Sequence, residues 1–328
     1  MLVMVAPKGK ASGILAGLMS NPSDMADPAL HKHGVTRPLP DEYARWLACL
    51  ARMAAAGKQA VKLHYGKASG GVVLGRGAGG DHTLELDRAC ERAMQEVLAT
   101  EAPCPHLLIS EEAGVSGPPD APWRVVLDPV DGSLNAKRGL APFAVSIAVA
   151  DGPCLGDVQI GHVEDYLRPN VFRAVRDCGV ITAGEPGVDL DPRRFESEMV
   201  EVVLLEAGRP DRHRFCYQDL GSLGSEGGSP DMRIRQIGSL ALSLCYVAVG
   251  VADMLVAAVR ARSVDLAAGL LVLSEAKGRA VTLSGEDLTR QPLDLERRCA
   301  FAAWRAGIDG DAVLARAEGL LRSLARSQ

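Results

Sequence analysis

The chain has no cysteine pair at C-x-x-C spacing, no run of 18 uninterrupted apolar residues, no internal repeat and no block of lysine or arginine. Each absence removes a class of protein. Its eight cysteines are scattered, without a histidine cluster near them, so neither a zinc site nor a disulfide framework is expected. Cys245, between Leu244 and Tyr246, reads as a small hydrophobe in a reducing cytoplasm. Without a long apolar run, no segment reads as a membrane span. With 36 basic against 41 acidic residues the net charge is −5, and nucleic acid is not an expected partner. A hydrophobic share of 47% against 23% charged excludes a disordered chain and is that of a folded enzyme-sized protein.

Apolar periodicity sets out the elements. Residues 1–40, rich in Gly, Ser and Pro, read as a flexible N-terminal extension. Helices are expected over 41–63, 84–98, 237–250, 264–276 and 311–324. Strands are expected over 72–74, 106–110, 123–127, 144–150, 154–160, 170–175, 200–205, 254–259 and 299–303. The polar, glycine-rich stretch 207–231, with Arg209, Arg212, His213 and Arg214, reads as a surface loop that is also a candidate substrate lid. Mixed alternation with two groups of strands predicts a layered α/β (α+β) sandwich of two linked halves, 41–180 and 181–328.

Gly75-Arg76-Gly77-Ala78-Gly79-Gly80 satisfies G-x-G-x-x-G after a strand-like run, so an NAD-binding oxidoreductase has to be weighed. Asp81 argues against it, because a carboxylate directly after the last glycine repels a pyrophosphate. The alternative is a tight turn that carries backbone to a nearby site.

The stronger signal is acidic. Asp87, Glu111, the pair Asp128 and Asp131, and Asp265 each stand in apolar sequence at the end or start of an element, where a bare anion is costly. Converging carboxylates need a cation, and hard oxygen donors without His or Cys favour Mg²⁺ or Mn²⁺. After the strand that ends near Leu127, Pro129 interrupts the ladder, so that Asp128, Asp131 and the Val130 carbonyl can face one place. Gly132 and Ser133 then open a turn whose amides can receive phosphate oxygens. Asp265 alone would also serve as a helix N-cap.

Three segments, "ISEEAG", "LDPVDGSLN" and "SVDLAAGLLVLSEAKG", resemble in order and spacing the signatures of the inositol monophosphatase and fructose-1,6-bisphosphatase superfamily. "GAGGDHTLELDRACERAM" and "QIGSLALSLCYVAVGVADM" resemble its archaeal-type branch. The resemblance implies an α/β/α/β/α sandwich and a Mg²⁺-dependent, lithium-sensitive phosphatase. It also implies a homodimer, to which the apolar stretch 237–259 could contribute. By the same resemblance Glu111, Asp128, Val130, Asp131 and Asp265 hold two metals, Asp87 holds a third, and Glu111 with Ser133 activates the water. Asp131, Gly132, Ser133 and Asn135 would contact a small phosphorylated metabolite. The first half would then carry the main metal site, and the second would supply the last aspartate and substrate contacts. Inositol-1-phosphate is the first expected substrate, fructose-1,6-bisphosphate the second and a 3'(2'),5'-bisphosphate nucleotide the third. One departure bears on specificity: the acid the family places near Ala257 is missing, and Arg260 and Arg262 stand nearby as candidates for a second phosphate.

Overall fold

The computed structural model describes residues 30–33, 39–184, 190, 199–206, 232–283 and 286–310. Two helices come first. α1 (Asp41–His64) buries Trp46, Leu47, Leu50, Met53 and Val61 along one face and carries Asp41 and Glu42 in its first turn, where acids complement the helix dipole. α2 (Glu85–Glu101) buries Leu86, Met94 and Leu98, and the two pack together on one face of an eight-stranded sheet.

That sheet contains β1 (Leu30–His33), β4 (His106–Ser110), β5 (Gly114–Ser116), β6 (Trp123–Asp131), β7 (Ala144–Ala150), β8 (Val158–Asp165), β9 (Val171–Val175) and β10 (Gly179–Ala183). Between α1 and α2 runs a separate two-stranded ribbon of β2 (Val73–Arg76) and β3 (His82–Leu84). The large sheet is ordered β1-β10-β9-β8-β7-β6-β4-β5. Only β4 and β6 pair in parallel within it. Side chains alternate across a strand. Val125, Leu127, Val145, Ile147 and Val149 accordingly face α1 and α2, while Val126, Ala144, Ala148 and Ala150 face the other way.

On that second face lie α4 (Leu240–Ala248) and α5 (Ser263–Glu275), preceded in the chain by the short α3 (Ser133–Arg138). Beyond α4 and α5 is a five-stranded sheet of β11 (Val202–Glu206), β12 (Arg233–Arg235), β13 (Met254–Ala261), β14 (Arg279–Thr282) and β15 (Cys299–Trp304), ordered β12-β11-β13-β15-β14. Leu204, Leu255, Ala257, Phe301 and Ala303 close the core on the helices. Val203, Met254, Val256, Ala302 and Trp304 form a further cluster on the outer face. The fold is the layered α/β sandwich, and the expected closing helix 311–324 lies outside the described residues, as do the lid candidate 207–231 and residues 1–29.

Three expectations change. Leu30–His33, within the stretch read as a flexible extension, form β1 and pair antiparallel with β10, because a sheet edge presents unpaired N–H and C=O groups. The apolar stretch 237–259, offered to a dimer contact, is mostly interior: Ala241–Ala248 are buried between the two sheets. The glycines 75–80 turn an antiparallel hairpin, β2 to β3, rather than opening a helix after a parallel strand, which removes the dinucleotide reading. Strands β1, β3, β5, β12 and β14 are three or four residues long, too short for a period to show. No described helix is long and apolar enough to cross a membrane.

α5 lies very close to the large sheet. A Cβ added at Gly161 on β8 would come within 2.9 Å of the Ala268 carbonyl oxygen and 3.2 Å of its Cα, both backbone atoms that cannot rotate aside. Gly161→Ala is therefore expected to cost about 1–3 kcal/mol, read as a lower urea midpoint at unchanged slope. A wild-type midpoint would show that the α5 contact is looser than this.

Candidate metal centre

Asp128 and Asp131 are three residues apart, an odd step that would place them on opposite faces of a regular strand. The ladder resolves this. Asp128 stands opposite Ser146 and Asp131 opposite Ala144 on β7, so β6 takes three steps against two. One extra residue bulges between them, in the Pro129–Val130 step, where Pro129 has no N–H for the ladder. The Asp128 Oδ1 accepts the Val130 N–H at 3.0 Å, and the Tyr166 hydroxyl donates to the Pro129 carbonyl at 2.6 Å, fixing the bulge.

Glu111 follows β4 directly, and its N–H donates to the Leu127 carbonyl at 3.1 Å, so the β4–β6 pairing brings it beside Asp128. Asp265 comes from the opposite layer, in the first turn of α5, where its Oδ2 accepts the Arg262 N–H at 2.7 Å. One carboxylate oxygen from each of Glu111, Asp128 and Asp265 lies within 4.8 Å of the others. Asp131 reaches across to the start of α4, accepting the N–H groups of Leu240 at 3.2 Å and Ala241 at 2.7 Å together with the Ser239 hydroxyl. Asp87, in the first turn of α2, is 2% exposed; its Oδ2 accepts the Leu84 N–H at 2.9 Å, while its Oδ1 has no partner among the described residues.

The phosphate-side residues are placed as follows. Gly132 is left-handed, φ 94° and ψ 33°, and starts α3 at Ser133. A Cβ there would meet the Gly238 carbonyl oxygen at 2.9 Å. Asn135 donates to the Pro142 and Ile237 carbonyls, both at 2.8 Å, so its amide ties α3 to the approach to α4. The side chain of Arg260 lies outside the described residues. Arg262 is buried, and its guanidinium touches Glu111, Asp265, Asp81 and the Gly79 carbonyl. Its donors are thereby engaged by the protein, whereas the sequence had offered it a second phosphate. Ala257, where the expected acid is missing, is fully buried and stands opposite Glu206 on β11. The Glu206 carboxylate accepts the N–H groups of Ile237 and Gly238, each at 3.0 Å.

Sequence reasoning missed the capping of α4 by Asp131; Ser239 before an apolar helical run was its one visible trace. It also missed Glu91, buried near Asp87, which accepts the Ser110 hydroxyl and, at 3.1 Å, the Ala113 N–H; the neighbouring Glu112 is part-buried and accepts the Thr83 hydroxyl.

Electrostatics follows from crowding. Burial first, then Glu111, Asp131 and Asp265, push Asp128 well above the carboxylate range. Burial also raises Glu111, against the pull of Arg262. Asp131 is pushed up to about 7 by burial, with Asp265 adding to it. Asp87 reaches about 8 and Glu112 about 7, each by burial and the neighbouring acids. Such a set takes protons or a cation. All-oxygen donors, the unpartnered Asp87 Oδ1 and the absence of histidine and cysteine from the cluster fit Mg²⁺ or Mn²⁺.

A sequence profile described as "Inositol monophosphatase family" matches residues 42–319. The chain belongs to the inositol monophosphatase family. Among its relatives is a fructose-1,6-bisphosphatase/inositol-1-monophosphatase of Archaeoglobus fulgidus, 30% identical over 70% of this chain and 82% of that protein. Another is a Nus factor SuhB of Pasteurella multocida, 32% identical over 62% of this chain and 73% of that protein. A solved inositol monophosphatase of Thermotoga maritima superposes with a TM-score of 0.66 at 22% identity, covering 85% of this chain and 99% of that one. Membership makes this protein a phosphoric monoester hydrolase of a Mg²⁺-dependent family that acts on small phosphorylated substrates.

The raised acids give a signed pH dependence. Metal-free folded protein keeps protons on Asp131 and Asp87 that the unfolded chain releases near pH 4. The stability tied to them is complete below that value and is lost as pH rises through about 7 and about 8. The melting temperature in EDTA is expected to fall from about pH 5 to about pH 8.5, and Mg²⁺ to restore it most at the alkaline end. A melting temperature in EDTA that climbs across this window would remove the assignment of these acids.

Proposed function

We propose that the protein is a Mg²⁺-dependent phosphomonoesterase of a small polyol or sugar phosphate, with inositol-1-phosphate as first substrate. The observation that supports it most is the meeting of Glu111, Asp128 and Asp265 oxygens within 4.8 Å, drawn from three elements and two layers. Glu111, Asp128, the Val130 carbonyl, Asp131 and Asp265 would hold two ions, and Asp87 a third. When bound, Mg²⁺ neutralises phosphate charge and lowers the proton affinity of a water. Glu111, with the Ser133 hydroxyl, orients the attacking water and accepts its proton. The Gly132–Ser133 turn presents amides to the phosphate oxygens, so the chain's work is positioning and charge placement. Li⁺ competing for a metal position would inhibit.

Fructose-1,6-bisphosphate is the second reading, favoured by the name of the Archaeoglobus relative; an adenosine 3',5'-bisphosphate is the third. We place the enzyme in the cytoplasm, which suits the seven free cysteines among the described residues. We read it as a homodimer, as in the family resemblance.

Phosphate release from these three substrates, with Mg²⁺ and then with EDTA, tests the reading. Release confined to Mg²⁺ is expected, fastest on inositol-1-phosphate. Asp128→Asn is expected to lower turnover by more than about a hundredfold while far-ultraviolet circular dichroism stays unchanged. Wild-type turnover in that variant would sink the site.

A further inference from the structure

The cluster already contains a cation. Arg262 Nη2 lies 2.6 Å from Glu111 Oε1 and 2.9 Å from Asp265 Oδ1, so a single N–H₂ group spans two of the three carboxylates that meet. Nε adds a bond to Asp265 Oδ2 at 3.2 Å. The other side of the guanidinium faces outward: Nη1 lies 3.1 Å from Asp81 Oδ2 and 3.4 Å from the Gly79 carbonyl. Asp81 is 65% exposed, while the Arg262 side chain is 7% exposed. A delocalised +1 charge thus rests on oxygens that a compact divalent ion would coordinate directly, and it is tethered at the same time by a second set of acceptors on its outer side.

We propose that Arg262 is an internal competitor of Mg²⁺: its guanidinium holds Glu111 and Asp265 in the metal-free protein, gives up those oxygens as the ion enters, and so sets the Mg²⁺ concentration at which the site fills. Two physical terms act in one direction. The guanidinium and the ion repel each other, and they share the same lone pairs. Asp81 and the Gly79 carbonyl act on the other side of the balance: they already hold Nη1, and they keep the guanidinium charge partnered when Nη2 and Nε leave Glu111 and Asp265. The proposal rests on Glu111, Asp128 and Asp265 being the Mg²⁺ ligands.

The test is Mg²⁺ binding by full-length, metal-stripped protein, measured by calorimetry and by the rise in melting temperature, without substrate. Arg262→Met keeps an unbranched stem and removes the charge; it is expected to melt lower than wild type in EDTA, to bind Mg²⁺ roughly tenfold more tightly, and to close the melting gap as Mg²⁺ is added. Arg262→Lys keeps a charge and is expected to bind Mg²⁺ within about threefold of wild type. Asp81→Asn, at an exposed position that leaves the fold intact, removes the outward acceptor and is expected to weaken Mg²⁺ binding by roughly threefold or more. Weaker binding in Arg262→Met, with the other two like wild type, would overturn the proposal and make Arg262 a residue that positions the ligands. Should Arg262→Met fail to fold, unchanged binding in Asp81→Asn would overturn it alone. Absence of Mg²⁺ binding in the wild type would instead bring down the metal reading beneath it.

Discussion

Carboxylates buried together repel one another, and nearly every local feature around this site is a way of meeting that repulsion. Asp265 is placed in the first turn of α5 and Asp131 against the N-terminus of α4, where unsatisfied amides and the helix dipole favour negative charge. Asp128 accepts a backbone amide from its own bulge. Glu111 and Asp265 share a guanidinium. These devices fix where the oxygens stand but leave the charge incompletely neutralised. Burial first, and the remaining repulsion after it, hold Glu111, Asp128 and Asp131 above the usual carboxylate range, and a divalent ion bound there would offset both.

The same geometry explains why the fold has to be thick. Glu111 and Asp128 come from the large sheet, Asp265 and the Asp131 cap from the helix layer, and Asp87 from the outer helices. The site therefore exists only if three layers are held at short distances. Small residues do this. The motif after Asp265 reads Leu-Ala-Ala-Gly, and it is packing rather than chemistry that uses the last three. Ala268 presses its backbone on Gly161 of the sheet, and a Cβ on Gly269 would come within 2.9 Å of Leu244 on α4. Larger side chains would lift α5, and Asp265 with it, away from Asp128.

Much of this was legible in the sequence. The long amphipathic helix from Asp41, the strands 106–110 and 144–150 and the acids at element ends all carry their own local pattern, and they stand where the pattern put them. What could not be read was relational. Strands of three or four residues have no period. The bulge that reconciles Asp128 with Asp131 is visible only in the ladder with β7. Arg262 sat three residues before Asp265 and two after a second arginine, and nothing local said that its guanidinium turns inward to Glu111, 151 positions earlier in the chain. Buried charge pairs depend on which layers meet, and that is a property of the fold.

The glycine turn shows how one string of letters can serve opposite electrostatics. In a phosphate-binding loop the amides face an anion. Here the Ala78 and Gly79 amides are used on the carbonyls of Glu112 and Glu111, at 3.2 and 2.7 Å, while the Gly79 carbonyl receives the guanidinium groups of Arg262 and Arg298. The turn offers its negative end to cations, not its positive end to phosphate. The absence of side chains at these positions still matters: a Cβ at Gly77 would strike the Glu112 carboxylate at 2.4 Å, and one at Gly79 would strike Arg262 at 2.4 Å. The glycines let a backbone lie flat over a crowded charged cluster, and any sequence that does so will resemble a nucleotide loop until the direction of its carbonyls is known.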